Sequence, residues 1–414
     1  MADTPEERAH WRSVLRAFDG YMQYHLSANH ARRMAFLQLP KEAKQMYEAI
    51  GYREKLEAVD EGIRRNAEFI DELIADPVFA DMLSEPIASD AHSHDHHHHD
   101  HTDNSSHSHS HSHSHSAPRP QSNGEKKLSQ AELDLAQDKV RSTLRSFVRD
   151  WSDEGAAERQ ACYDPCLEAL EAHWESKGRD KRDVEVLVPG CGLGRLAMEI
   201  AAKGFSSQGN EFSTYMLLAS HFVLNQTSEA KSYSIHPYVH SFSNQPTTGE
   251  HLLRRVDIPD ICPSDVLGDG KGGPFSLVAG DFEEIYGEAN WDHGDGRDGT
   301  RVAQRRRWGA VVTCFFIDCA RNVLTFLNII HTILEDDGIW INIGPLLWHF
   351  ENSPTPSAKG EGSIELSLDE VKDLARLVGF EIHQERTIST TYTGIPGAML
   401  KHEYQAAFWT ATKI

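Results

Sequence analysis

The sequence predicts an α/β fold: a mainly parallel, doubly wound sheet preceded by a helical N-terminal region. Three observations carry this. Beyond Lys181, β-rich runs alternate with helical ones; the first of those runs opens into a glycine-rich turn; and residues 5–83 place apolar side chains at helical intervals.

The N-terminal stripe comprises Trp11, Leu15, Phe18, Tyr21 and Met22, then Met46, Ile50, Leu56, Ile63, Phe69, Ile70 and Leu73, so a helical region is expected over 1–89. From Asp90 to about Lys127 the composition turns to His and Ser, with almost nothing that could enter a core, as expected of a disordered linker. Helical patterning resumes over 128–180, where Leu133, Val140, Leu144, Phe147 and Val148 share a stripe. The remaining unit, 181–414, holds the strand runs VEVLVPG, FSSQGNEF, FSLVAGDF, WGAVVTCFFI and GIWINIG, with two late strands near 380–392 and 403–412. Its stretch 226–275 is too long and irregular for a simple crossover, so an insertion is expected there.

The formal net charge of −22, from 63 acidic against 41 basic residues, opposes attraction to nucleic-acid phosphates or anionic membranes. A small, cationic substrate fits better. The opening MADTPEERAHWRSVLRAF has no apolar core of a leader, and no later stretch has the uninterrupted apolar length that a bilayer needs. Six cysteines fall inside apolar or helical patterns, which favours reduced thiols in a cytosolic or nuclear setting. Cys162 and Cys166 could share a helix face, but no second pair follows at zinc-site spacing, so core packing is expected. The His tract fits two readings, a functional metal binder or a solvated spacer with incidental affinity. A Ser-His alternation fixes no geometry, which favours the spacer, and no metal ligand is assigned.

The sharpest motif is Val184-Glu-Val-Leu-Val-Pro-Gly-Cys-Gly-Leu-Gly-Arg-Leu-Ala197, a hydrophobic strand running into Gly190, Gly192 and Gly194 and then a helix. Glycines there let the backbone turn tightly and approach a ligand; a tight turn with no ligand is the plain alternative. The next strand ends in Glu211, where a carboxylate can accept both ribose hydroxyls. The PGCGLGR turn lacks the G-x-G-x-x-G spacing that opens a helix N-terminus to pyrophosphate, which favours S-adenosylmethionine over a dinucleotide. A third strand ends in Ala279-Gly-Asp-Phe282, offering Asp281 to the adenine amino group and Phe282 to the ring.

Beyond these motifs the blocks VRDWSDEGAAERQACYDP, CFFIDCARNVLTFLNIIHTILEDDGIWINIGPLLWHFEN and YTGIPGAMLKHEYQAAFW resemble the N2227-type family that includes the carnosine N-methyltransferases, over about 138 to 414. The resemblance implies a class I, seven-strand, Rossmann-like methyltransferase sheet and methyl transfer from S-adenosylmethionine to an imidazole nitrogen of carnosine, giving anserine. It implies cofactor contacts from Arg149, Gly190, Gly192, Glu211, Asp281, Phe282 and Cys314, and substrate contacts from Asp318, His349, Tyr392 and Tyr404. It also hints at a homodimer. Ser146 departs from the pattern, standing three before Arg149 where a glutamine is expected.

Asp318 and His349 are the expected catalytic pair. A carboxylate accepting the imidazole N–H fixes the tautomer and enriches the other nitrogen, and a histidine can bond the ring or take the released proton. Both follow apolar strands at the carboxyl ends, where open α/β sheets bind ligands. The plain alternatives are a surface acid, a packed histidine and two core tyrosines, with Trp151 and Trp348 as packing. Other functional readings are a methyltransferase for a different imidazole, amine or protein histidine, and a non-catalytic cofactor- or metal-binding scaffold.

Overall fold

A computed structural model describes residues 4–77, 79, 129–292, 303–353, 360 and 362–414. The expected linker over 90–127, with its His tract, lies outside the described residues.

Among the described residues the chain opens with α1 (Pro5–Asp19), α2 (Tyr21–Leu37), α3 (Lys41–Ala49) and α4 (Tyr52–Ile74). The first begins where Thr4 and Glu7 close a reciprocal capping box with Pro5 in the first turn. Ser129 and Glu132 make the same box at the start of α5 (Gln130–Trp151), which leads into α6 (Ala156–Lys177). Four members of the predicted stripes lie outside the core: Met22 is 44% exposed, Met46 73%, Ile50 76% and Leu133 36%. The nine-residue α3 buries no residue at all, so helical spacing there reflects an apolar face left on the surface.

The strands β1 (Glu185–Pro189), β2 (Ser206–Glu211), β5 (Phe275–Ala279), β6 (Trp308–Cys314), β7 (Leu334–Gly344), β8 (Phe380–Thr390) and β9 (Tyr404–Lys413) form one seven-stranded sheet. Its order is β5-β2-β1-β6-β7-β9-β8, with β9 antiparallel to both neighbours and the β5-to-β7 pairings parallel. This is the predicted seven-strand, Rossmann-like sheet. β1 lies inside the sheet, with the chain progressing outward to β2 on one side and to β6 on the other, so the crevice at its carboxyl end is the topological switch point.

The segment between β2 and β5 holds α8 (Thr214–Asn225), reached after α7 (Arg195–Ala202) and β2, and then a separate antiparallel pair, β3 (Tyr233–Ile235) with β4 (Val256–Ile258). Ile235, Val239, Leu252, Val256 and Ile258 share one core with Leu15, Phe18, Ile63 and Ile70 of the opening helices and Leu144 and Phe147 of α5. The insertion and the helical region therefore bury each other's apolar faces. Asp260 fastens that layer to the sheet, accepting from Arg195 Nη1 at 2.6 Å and Arg159 Nη2 at 2.7 Å, all three side chains largely buried.

One strand is shorter than predicted. The run WGAVVTCFFI leaves the sheet at Cys314, because Phe315 turns at φ +54° and Ile317–Cys319 closes a 3-10 turn. Asp318 consequently sits in a turn past the strand end.

Candidate functional site

Gly190, Gly192 and Gly194 all hold positive φ, +63°, +56° and +81°, a backbone conformation that side chains resist. A Cβ at Gly190 would stand 2.5 Å from the Phe316 ring, and one at Gly192 would stand 3.3 Å from Arg149 Nη2. The arginine thus lies against the turn. It pairs with Asp150 through Nε to Oδ1 at 2.7 Å and Nη2 to Oδ2 at 2.9 Å, and its guanidinium sits 4.4 Å from the centre of the Tyr392 ring. Tyr163 also donates to Asp150 Oδ1, at 3.0 Å, so the acid that orients Arg149 is itself held.

Glu211 reaches across from the end of β2. Its carboxylate accepts the backbone N–H groups of Gly192 at 2.9 Å, Phe212 at 2.8 Å and Ser213 at 2.7 Å. Burial pushes its pKa up, against the pull of those N–H groups and of Arg149. Asp281 caps the short helix α9 (Phe282–Tyr286), with Oδ1 accepting from Glu283 at 2.8 Å and Glu284 at 3.2 Å. Phe282 is 4% exposed, its ring edge-on to Phe316 and Phe326 at 5.3 and 5.0 Å. The open aromatic on this side is Phe212, directly after Glu211.

On the other side of β1, Phe315 organises the wall. Its N–H donates to Ile343 O at 2.8 Å, and Gly344 makes the approach possible, since a Cβ there would lie 3.2 Å from Phe315 Cα. The Phe315 ring stacks on Tyr392 at 4.8 Å and meets Tyr404 edge-on at 5.9 Å. Two tyrosines from separate segments are thereby gathered around one residue. Glu158 on α6 anchors the Tyr392 loop, accepting from Thr391 Oγ1 at 2.7 Å and from the N–H groups of Thr393 at 2.7 Å and Gly394 at 3.3 Å.

Asp318 is 3% exposed and its Oδ2 accepts the Leu347 N–H at 3.0 Å. Its backbone oxygen accepts the His349 N–H at 3.1 Å, so two hydrogen bonds lock the post-β6 turn to the post-β7 segment. Burial raises the Asp318 pKa, opposed by the Leu347 N–H and the His349 ring, whose side chain is exposed. Cys319, adjacent, has its thiol pushed up to about 12, first by burial and then by the carboxylates of Asp318 and Glu211.

A pocket opens here, lined by Arg149, Glu158, Tyr163, Gly190, Cys314 and Tyr392 among others. Cys314 ends β6 on its wall, with burial raising its thiol pKa. Asp318, His349, Gly192, Glu211, Asp281, Phe282 and Tyr404 lie outside that lining. Trp151 and Trp348 are packed, each indole N–H given to a backbone oxygen, of Leu193 and Leu366. Sequence reasoning missed Asp150, Glu158, Tyr163 and Phe315. All four stand in the resembling blocks, Asp150, Glu158 and Tyr163 in VRDWSDEGAAERQACYDP and Phe315 in CFFID, and none was singled out there.

A sequence model of the carnosine N-methyltransferase family matches residues 126–414. The chain belongs to the carnosine N-methyltransferase family. A family member from Mus musculus is 41% identical over 277 residues, covering 67% of this chain and 63% of that protein's own length. One from Schizosaccharomyces pombe is 40% identical over 289 residues, 69% of this chain and 73% of the relative. One from Drosophila melanogaster is 40% identical over 276 residues, 66% and 55% respectively. The match thus spans under two thirds of the mouse and fly proteins. Among solved structures, the chain is similar to a magnesium protoporphyrin IX methyltransferase from Synechocystis with bound SAH, 10% identical, TM-score 0.34, covering 70% of this chain and 90% of that one. At that identity and score the likeness bears on neither substrate nor cofactor. The family match covers every candidate residue named above, from Arg149 to Tyr404.

Proposed function

We propose that this chain is an S-adenosylmethionine-dependent N-methyltransferase that methylates the imidazole ring of carnosine, giving anserine, or of a related histidyl dipeptide. The observation that carries the reading is the buried Asp318 carboxylate, held through Oδ2 beside His349 in the turn past the end of β6, in a carnosine N-methyltransferase family member.

The chain's residues fit the methyl donor. A turn that side chains would obstruct, a carboxylate at the end of β2 and a buried guanidinium against that turn suit an uncharged ribose and a carboxylate tail, in a crevice without a phosphate cradle. When bound, the sulfonium supplies the methyl group. Glu211 would hold the ribose hydroxyls, Arg149 the carboxylate and Asp281 the adenine amino group through the oxygen that its helix cap leaves over.

Asp318 would accept the ring N–H through Oδ1, fixing the tautomer and leaving the lone pair of the other nitrogen aimed at the methyl carbon. His349, exposed beside it, would take the proton that the methylated ring must lose, or hold the ring in register. Phe315, Tyr392 and Tyr404 would wall the dipeptide, shielding the nucleophile from water. The partner is a small molecule; among the described residues no helix is long and apolar enough to cross a membrane. Mass spectrometry after incubation with isotopically labelled S-adenosylmethionine and a panel of histidyl dipeptides tests the reading: a labelled methyl group on the imidazole is expected. Turnover confined to non-imidazole amines would overturn it.

A further inference from the structure

Asp318, Cys319 and His349 present a carboxylate oxygen, a thiol sulfur and an imidazole nitrogen that all lie within 4.8 Å of one another. Cys319 Sγ and His349 Nε2 are 3.8 Å apart. In a tetrahedral zinc site, bond lengths of about 2.3 Å to sulfur and about 2.0 Å to nitrogen put those atoms roughly 3.5 Å apart. Closing the difference asks for a small rotation of an exposed histidine side chain. The frame behind the ligands is fixed, since the Leu347 N–H holds Asp318 Oδ2 and the His349 N–H holds the Asp318 backbone oxygen. One sulfur, one nitrogen and one oxygen ligand with an open fourth position suit a borderline-soft divalent ion. The Glu211 carboxylate nearby adds negative charge that favours a cation.

We propose that Asp318, Cys319 and His349 form a zinc-class divalent metal site whose occupation blocks methyl transfer. The ion replaces the Cys319 thiol proton, which leaves to solvent, and gains bonds to sulfur, to His349 nitrogen and to an Asp318 oxygen. Water or an incoming imidazole takes the fourth position. Either way the carboxylate is no longer free to hold a ring N–H, and a ring bound to the metal has spent its nucleophilic lone pair. The block rests on the reading of Asp318 and His349 under Proposed function; the metal site itself does not. Cys319 carries the proposal, because without it the pair has too few ligands to hold the ion.

The His-rich stretch 92–117 contains no cysteine, so a sulfur signature separates this site from chelation there. The full-length protein is titrated with Co²⁺ at buffered free concentrations while thiolate-to-cobalt charge-transfer absorption is recorded, and methyl transfer is assayed against buffered Zn²⁺. Cys319→Ser and Cys319→Thr are run alongside. The wild type is expected to show the band and to lose activity reversibly, with a chelator restoring it. Both variants should lose the band and need at least about tenfold more free Zn²⁺ for half-inhibition. No band, a band that survives both replacements, or equal zinc sensitivity in all three proteins overturns the site. A Cys319-dependent band without inhibition overturns the blocking role, and places the fault in the assignment of Asp318 and His349 to the substrate.

Discussion

The cofactor side and the substrate side of the crevice are built differently. On the cofactor side the contacts are short-range in the fold: Glu211 ends one strand and gathers backbone N–H groups from its own turn and from the adjacent glycine turn. The substrate side is assembled from side chains far apart in the chain, with Phe315 meeting Tyr392 and Tyr404, and Glu158 reaching the 391–394 loop. Backbone-held geometry resists single substitutions in its neighbours. Geometry held by side chains fails one contact at a time.

The largest effect should come from Asp318→Asn, which keeps the size of the group and removes its charge. Turnover should fall about 10²-fold or more, since a charge-assisted contact made in the transition state contributes a few kcal/mol. Affinity for S-adenosylmethionine should stay near normal, and calorimetry in parallel with steady-state kinetics separates the two sides. Because burial raises the Asp318 pKa, wild-type turnover should also decline on acidification at a higher pH than an ordinary carboxylate would dictate. Glu211→Ala is the mirror case and should weaken cofactor binding by about 1.5–3 kcal/mol. Unchanged affinity in a folded Glu211→Ala protein would remove that residue from the site.

The same contrast explains what the sequence made legible. Gly190, Gly192, Glu211 and Asp281 stand at strand ends, where alternation of apolar runs and helices locates them without knowledge of any tertiary contact. The end of β6 was misjudged because Phe315 and Phe316 look like more strand, and the positive φ of Phe315 depends on its bond to Ile343 in the next strand. Glu158 and Asp150 stand in the VRDWSDEGAAERQACYDP block yet look like ordinary acids on a helix until their partners are known, the 391–394 loop for Glu158 and Arg149 with Tyr163 for Asp150. Met46 and Ile50 show the converse error, in which correct spacing named a face that nothing covers among the described residues.

Acid should test how far the helical layer supports the cofactor side alone. His25 of α2 and the His240 ring lie 4.4 Å apart, and Tyr21 bonds His240 Nε2 at 2.5 Å. Burial lowers the His25 pKa to about 3, with Arg141 and Arg32 adding to the effect, and lowers that of His240 as well. A histidine whose folded pKa is depressed contributes stability that is intact above its unfolded value of about 6.5 and is lost as pH falls below it. Each should cost about 1.4 kcal/mol over each pH unit below that point. Gln137, on the helix that carries Arg149, lies beside His25, so cofactor affinity should weaken with the layer. Urea titrations across pH should show the slope, and His25→Phe should flatten it.

The smallest effect should come from Glu158→Gln, and it probes the substrate side through a residue that need not touch substrate. The wild-type carboxylate accepts from Thr391, Thr393 and Gly394 together. An amide can offer only its single oxygen and must turn its NH₂ toward groups that are themselves donors. The loop bearing Tyr392 should loosen by about 1 kcal/mol, the net worth of a hydrogen bond, which corresponds to a rise of about fivefold in KM for the dipeptide. If Tyr392 binds ground and transition states alike, kcat should hardly change. Arg149 keeps both of its bonds to Asp150 in the variant, so cofactor affinity should move far less than KM. A fall in kcat with KM unchanged would mean that Glu158 acts on the reacting geometry itself, and that the two sides of the crevice are less separable than their construction implies.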